Sequence, residues 1–207
     1  MHFASFGKKK KSVLVILHGW GLSSKEYAEL GTLFAKNFYV IIPELPGFGQ
    51  TPPPRRPFSV EDYAKALKKF FDEQGIKSAH FIGHSFGGRV LLRLANVYPE
   101  LVTTLTLTGC PGVEKFHLKR SAKRAIYWSA AKALRLFTFI PPVKHLRTRF
   151  YAHRDLGQVE GVMMQTFLKV IKENLTPDAK KIQQPTLLLW GNRDQMAPVY
   201  DAEKMLK

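Results

Sequence analysis

Cysteine is almost absent from this sequence, since Cys110 is the only one among 207 residues. A single cysteine cannot form an intrachain disulfide, and it excludes the paired-cysteine motifs of redox and zinc proteins. Long hydrophobic runs are also missing: none approaches the ~20 apolar residues of a transmembrane helix. Residues 8–11 are lysines, where a signal peptide needs its apolar segment. We therefore expect a cytoplasmic protein that needs no metal or other cofactor.

Acidic residues are scarce. The chain has 16 Asp and Glu against 32 Lys and Arg, which gives a formal net charge of +16. Such a chain adheres to phosphate at low salt, yet no helix-turn-helix, zinc or RNA-recognition pattern is present, so we expect no specific nucleic-acid partner. With 45% hydrophobic residues the chain can form a packed core, which excludes a disordered polyelectrolyte. The sequence does not indicate an oligomeric state.

Short apolar runs alternate with helical patterns along the first half of the chain. The runs are rich in leucine and β-branched residues, as in strands buried on both faces of a parallel sheet. Serines stand where the helices between them begin: Ser23 or Ser24 before the first, and Ser59 with Asp62 before the second. The alternation predicts a doubly wound, mostly parallel α/β sheet. The predicted strands are residues 13–17, 38–42, 79–83 and 101–108. The predicted helices are residues 27–34 and 86–97, with one between them that begins after Ser59 and stops at Gly75.

The alternation breaks at Pro111. Helical patterns rich in Lys, Arg and aromatic residues follow until residues 186–190, TLLLW, restore the pattern of a buried strand. We therefore predict a sheet core of residues 1–110 and 185–207 with a helical cap inserted at 111–184. The cap holds 15 basic and 5 acidic residues, and its basic amphipathic stretch is expected to turn an apolar side over a cleft. A weak contact of its basic side with an anionic lipid surface is the alternative.

Ser85 is the centre of a G-x-S-x-G motif, Gly83-His84-Ser85-Phe86-Gly87, between a predicted strand and a predicted helix. A serine on the sharp turn between the two projects its hydroxyl above the edge of the sheet, beside a helix N-terminus that stabilises negative charge. The residues two positions away must lack bulk because strand and helix approach closely there, and Gly83 and Gly87 meet that need. We predict that Ser85 is a nucleophile.

A second glycine-rich motif, His18-Gly19-Trp20-Gly21, follows the first predicted strand. Cleavage of an acyl bond needs backbone N–H groups that bind the oxyanion, one from such a loop and one from the residue after the nucleophile. Trp20 and Phe86 are therefore the predicted oxyanion-hole donors. His18 and Gly19 are predicted to support the loop, His18 by orienting it through hydrogen bonds. A role for His18 as a general base is the alternative.

Four motifs together resemble the α/β-hydrolase family: HGWG at 18–21, PELPGFG at 43–49, GHSFGG at 83–88 and GNRD at 191–194, which occur in the family's order. The resemblance runs from about residue 13 to 206 and implies the α/β-hydrolase fold with a helical cap after the sixth strand. It also implies a triad in the order serine, acid, histidine. Asp194 matches the acid that orients the histidine. A plain turn residue is the other interpretation of Asp194.

The histidine of that triad has no match. The chain has histidines at 2, 18, 80, 84, 117, 145 and 153, so none follows Asp194. Either the sequence is a truncation that lacks the last strand and helix of a working hydrolase, or it is a natural protein without its base. The absence of a stop signal for the last predicted helix favours truncation. His117, His145 and His153 of the predicted cap could approach the cleft, while His84 is expected to point away from the nucleophile.

Within this resemblance, a serine nucleophile implies acyl chemistry, because family members that open epoxides or displace halide use aspartate at that position. We expect hydrolysis of a small-molecule carboxylic ester or thioester through an acyl-enzyme on Ser85. Carbon–carbon bond hydrolysis of a diketone and the opening of a lactone stay open. A non-catalytic binding or scaffold protein on a hydrolase fold is the rival hypothesis, and the missing histidine supports it.

Overall fold

The computed structural model describes residues 1–111, 161–194 and 197–206, and these ranges hold six strands and six α-helices. Single turns of 3₁₀-helix lie at Lys25–Tyr27 and Pro99–Leu101. The strands are β1 (Phe3–Phe6), β2 (Val13–Leu17), β3 (Tyr39–Pro43), β4 (Ala79–His84), β5 (Val102–Thr108) and β6 (Thr186–Leu189). The helices are α1 (Ala28–Phe34), α2 (Val60–Glu73), α3 (Phe86–Val97), α4 (Val162–Val170), α5 (Thr176–Ala179) and α6 (Val199–Met205).

The strands form one sheet in the order β1-β3-β2-β4-β5-β6. Every neighbouring pair is parallel except β1 and β3, which are antiparallel. The mostly parallel α/β sheet predicted from the alternating pattern is confirmed. Strand β1 has no counterpart in the sequence prediction, because four residues give too short a pattern to separate a strand from a loop.

Helices cover both faces of the central strands, and the side chains of β2 alternate between the two faces. Leu14 and Ile16 join the core cluster on the side of α1. Val15 and Leu17 join the larger cluster that contains the apolar faces of α2 and α3. All four side chains are buried, which explains the continuous apolar run in the sequence.

Helix α2 begins and ends where the sequence predicts. Ser59 Oγ accepts a hydrogen bond from Asp62 N–H at 3.1 Å, and the Asp62 carboxylate accepts one from Ser59 N–H at 2.8 Å. This reciprocal pair is a capping box. Gly75 follows the helix at φ +68°, a left-handed conformation that ends helices at little cost only when the residue is glycine.

Helix α1 departs from its prediction. Ser24 does not cap it, because the Ser24 hydroxyl donates to the Glu44 carboxylate at 2.8 Å. The helix begins at Ala28, after the 3₁₀ turn. Leu30 and Leu33 are 40% and 57% exposed, so only part of the predicted apolar face contacts the sheet. The polar contact of Ser24 with a distant loop cannot be read from local spacing.

Strand β6 is also different from its prediction. The sequence pattern of 186–190 predicts a strand buried on both faces, but Leu187 and Leu189 are 57% and 59% exposed. The strand pairs with β5 alone and forms an edge of the sheet among the described residues. Leu188, which points to the other face, packs against the main core.

The chain divides into two compact units, Met1–Glu114 with Glu160–Lys207, and Lys115–Val159. The unit of the sheet therefore includes α4 and α5, with Val170 and Leu175 buried in its core. The sequence prediction assigns these helices to the cap, up to residue 184, because no strand pattern returns before residues 186–190. Residues 112–160 of the predicted cap, which carry the basic amphipathic stretch and its predicted contact with lipid, lie outside the described residues. Among the helices in the described ranges, none has the length and apolar character to cross a bilayer.

Candidate active site

Ser85 occupies the turn between β4 and α3, at the carboxyl edge of the sheet. Its backbone has φ 51° and ψ −111°, and it is the one residue other than glycine with positive φ in the described ranges. Such a conformation costs an L-residue about 1–3 kcal/mol. Hydrogen bonds hold the turn on both sides: Ser85 N–H donates to Thr108 O at 2.9 Å, and Arg89 N–H donates to Ser85 O at 3.2 Å. The fold thus fixes this serine in a strained turn.

Gly83 and Gly87 flank the turn at points without room for a side chain. A Cβ on Gly83 would lie 2.6 Å from Leu91 Cδ1 and 2.8 Å from Gly88 Cα. A Cβ on Gly87 would overlap the Leu17 carbonyl oxygen and lie 2.7 Å from its carbonyl carbon. The end of β2 therefore touches the start of α3, and this contact brings the loop after β2 next to Ser85.

That loop carries Trp20, one of the two predicted oxyanion donors. The rings of Trp20 and Phe86 meet edge to face, with centroids 5.1 Å apart and an interplanar angle of 72°. Phe86 is the first residue of α3, where backbone N–H groups have no partner within the helix and the helix dipole favours negative charge. The structure thus brings the two residues together, and their role at an oxyanion stays a prediction.

His18 connects the loop after β2 to the loop after β3. Its Nδ1–H donates to Gly19 O at 2.8 Å, and its Nε2 accepts from Leu45 N–H at 3.1 Å. The ring is fully buried, and this desolvation lowers its pKa, although the Gly19 bond and the nearby carboxylates oppose the shift. A neutral ring with both nitrogens engaged has no site for a proton from Ser85. The geometry therefore favours the loop-orienting role over the general base.

His84 supports the same loop from the other side. Tyr27 Oη accepts a hydrogen bond from Gly19 N–H at 3.3 Å, and the Tyr27 hydroxyl pairs with His84 Nδ1 at 2.8 Å. Burial of the Tyr27 hydroxyl raises its pKa, so it stays protonated. His84 therefore faces Tyr27, as expected for a side chain that alternates with its neighbour Ser85 along the chain.

Glu44 is a buried carboxylate whose contacts the sequence did not reveal. It follows β3, is 1% exposed, and its carboxylate accepts hydrogen bonds from Ser24 Oγ at 2.8 Å and Gln50 N–H at 2.7 Å. His2 Nδ1 lies 2.9 Å from it. Burial works to raise the pKa of this carboxyl, but the hydrogen bonds from Gln50, Ser24 and His2 together hold it below its usual value. The signal in the sequence was a carboxylate in an otherwise apolar, Pro- and Gly-rich loop.

Glu44→Gln is expected to lower the free energy of unfolding at pH 7 by about 1–3 kcal/mol. The NH₂ group of the glutamine would replace one accepting oxygen and would face buried donors that it cannot accept from. A depressed native pKa stabilises the fold above the unfolded value of about 4.3, and the gain is lost as the pH falls through the native pKa. Urea unfolding of both proteins from pH 7 to pH 3 measures the difference between their free energies of unfolding. This difference should be constant above about pH 5 and should close below about pH 4. Exposed Glu29→Gln is the control, and a difference that does not change with pH would contradict the assignment.

Asp194 lies in the turn after β6. Its backbone N–H donates to Gly191 O at 3.1 Å, and its Oδ1 accepts from Ala197 N–H at 2.9 Å. Its Oδ2 faces Gly109 at the end of β5, 3.3 Å from where a Cβ of that glycine would lie. The residue therefore shapes its own turn and lies at the carboxyl edge of the sheet that also holds Ser85. His117, His145 and His153 lie outside the described residues, so the structure does not assign the third member of a triad.

Known proteins match both the sequence and the fold of this chain. A family model described as the alpha/beta hydrolase fold matches residues 12–139. A functionally uncharacterised protein of Mycobacterium tuberculosis is 34% identical over 102 residues, which are 49% of this chain and 30% of that protein. A 2-hydroxy-6-oxononadienedioate/2-hydroxy-6-oxononatrienedioate hydrolase of a Pseudomonas species is 26% identical over 218 residues, covering 94% of this chain and 75% of that protein. The crystal structure of a membrane phospholipase A has a TM-score of 0.74 at 26% identity, over 99% of this chain and 70% of that one.

A strained serine turn between a parallel strand and a helix, on a sheet of this order, defines a hydrolase-type fold. Because the family match covers more than half of the chain, this protein belongs to the α/β-hydrolase fold family. Two of the relatives are named as hydrolases: the Pseudomonas protein above and a functionally uncharacterised hydrolase of Bacillus subtilis.

Proposed function

We propose that this protein is a serine hydrolase that cleaves a carboxylic ester or a related acyl bond through an acyl-enzyme on Ser85. The observation that carries the proposal is the strained backbone of Ser85, at φ 51° between β4 and α3. Its neighbours Trp20 and Phe86 supply backbone N–H groups for the oxyanion. In the first step Ser85 Oγ bonds to the carbonyl carbon, its proton goes to a general base, and the alcohol leaves; water then releases the acid.

The proposal requires a base for the Ser85 hydroxyl. His18 is engaged at both nitrogens, and His84 faces Tyr27. A histidine from 112–160, or one supplied by a longer chain, would complete the mechanism. Asp194 would then hold the imidazole in the required tautomer.

A fluorophosphonate probe tests the nucleophile, because an activated serine displaces fluoride from phosphorus and keeps the label. The natural full-length protein should take up one label, found by mass spectrometry on the peptide of Ser85. Ser85→Ala should abolish labelling and lower p-nitrophenyl butyrate turnover by ~10³-fold or more. Ser78→Ala, at an exposed serine before β4, is the matched control and should label like the wild type. A folded protein without Ser85-dependent labelling or turnover would support the binding or scaffold hypothesis instead.

Carbon–carbon bond hydrolysis is the second candidate, because one relative is named as a 2-hydroxy-6-oxononadienedioate hydrolase. The two reactions share the serine but differ in the bond that breaks. Turnover of a vinylogous diketone that exceeds turnover of esters at equal concentration would favour this candidate. Turnover confined to esters and thioesters would favour the first.

A further inference from the structure

The indole N–H of Trp20 is buried without a hydrogen-bond acceptor among the described residues. The side chain is 8% exposed. Three phenyl rings surround it: those of Phe48, Phe86 and Phe167, with centroids 4.8, 5.1 and 5.1 Å from the indole. A buried donor left unsatisfied costs about 1–3 kcal/mol, and such donors are rare in native proteins. The indole belongs to one predicted oxyanion donor, Trp20, and packs against the ring of the other, Phe86.

The rings around this N–H are apolar, and a flexible side chain lies one helical turn from the ring of Phe167. Phe167 and Met163 belong to α4 and are half-buried, and the Met163 side chain lies against Gly47. Methionine is flexible and repacks around ligands of different shape. The three phenyl rings that contact the indole have neither charge nor a strong hydrogen-bond acceptor. The site therefore suits an uncharged ligand atom that accepts one hydrogen bond.

We propose that the Trp20 indole N–H is a second polar anchor for substrate, separate from the Trp20 backbone N–H of the oxyanion hole. It would donate to an ether or carbonyl oxygen of the acyl group, apart from the scissile carbonyl. The substrate class is then an ester with a second, uncharged oxygen acceptor in its acyl chain. This proposal rests on the proposed function, because it takes the ligand to be the acyl substrate of Ser85.

Indole N–H resonances test the contact without any turnover. The Ser85→Ala protein has three tryptophans, 20, 128 and 190, and loss of one peak in a Trp20→Phe version assigns Trp20. Ethyl levulinate or ethyl methoxyacetate should move the Trp20 proton downfield, whereas ethyl butyrate should not. Trp190 is the internal control, since its N–H already donates to Ala197 O at 2.9 Å.

Kinetics supply the second arm with matched substrates. p-Nitrophenyl methoxyacetate is paired with butyrate, and p-nitrophenyl levulinate with 4-methylpentanoate, so that each pair differs by one acceptor oxygen. Trp20→Phe keeps the aromatic ring and the backbone N–H. Trp20→Phe should lower kcat/KM for at least one oxygen-bearing ester about tenfold more than for the matched ester without that oxygen. A tenfold difference corresponds to the loss of one hydrogen bond.

The outcomes separate the two proposals. If the esters shift the Phe86 amide but leave the Trp20 indole unmoved, the indole hydrogen rests on a phenyl face and the subsite is wrong while the hydrolase proposal stands. If Trp20 shifts but no Ser85-dependent turnover occurs, the subsite stands and the hydrolase proposal fails. If no ester changes any resonance at the highest soluble concentration, the subsite is overturned, and Ser85-dependent labelling and turnover alone decide the hydrolase proposal.

Discussion

Changing Gly87 to Ala is expected to lower the free energy of unfolding by about 3 kcal/mol. The added Cβ would overlap the Leu17 carbonyl oxygen, and backbone atoms cannot swing away as a flexible side chain can. Overpacking a tight interior typically costs 1–3 kcal/mol, and a clash with backbone lies at the upper end. To relieve it, α3 must move away from β2, which also separates Ser85 from the loop of Trp20. Urea unfolding measures the first effect, and the rate of fluorophosphonate labelling measures the second.

Gly75→Ala is the matched control for this change. Gly75 also lies next to a helix end, but nothing lies within 4 Å of its Cβ position, so only its positive φ of 68° opposes alanine. That strain costs about 1–2 kcal/mol. It should not change the position of Ser85 or its rate of labelling. Equal losses of stability in the two variants, or normal labelling of Gly87→Ala, would contradict the close contact of β2 with α3.

The sequence was sufficient for the parts of the fold that depend on local pattern. The strand at β4, the start of α3 at Phe86 and the capping box at Ser59 all follow from the spacing of apolar residues, glycines and caps along a few consecutive residues. The sharp turn at Ser85 belongs to this group, because both of its flanking glycines lie within two residues. A motif of consecutive residues predicts the local backbone conformation well when those same residues determine it.

Features made by distant residues could not be read in this way. Glu44 binds Ser24, twenty residues away in sequence, and this contact removes the serine from the cap of α1. Apolar runs on α4 indicate a helix but do not show which surface it covers, so the helix could not be placed on the sheet unit. The exposure of β6 depends on its place at the edge of the described sheet, and periodicity alone does not report strand order.

Arg89 also makes long-range contacts that the spacing of residues in the sequence did not indicate. It lies on α3 one turn after Ser85 and is 4% exposed. Its Nη1 donates to Pro111 O at 2.9 Å, while its Nη2 donates to Val170 O at 2.6 Å and Glu173 O at 2.7 Å. Pro111 precedes residues 112–160, Val170 is the last residue of α4, and Glu173 follows three residues later. One guanidinium therefore holds the chain on both sides of that segment.

Arg89→Met is expected to lower the free energy of unfolding by about 3–5 kcal/mol, because it removes three charge-assisted hydrogen bonds from the buried guanidinium to the carbonyls of Pro111, Val170 and Glu173. Arg89→Lys should cost roughly half as much, since an ammonium lacks the planar fork that reaches several acceptors at once. Arg56→Met is the matched control: Arg56 is 62% exposed and pairs with Asp62 at 2.6 Å, and exposed pairs contribute about 1 kcal/mol or less. Urea unfolding compares the three variants, and limited proteolysis should cut Arg89→Met first around α4. Equal stability of Arg89→Met and Arg56→Met would show that the Arg89 contacts do not anchor α4 to α3.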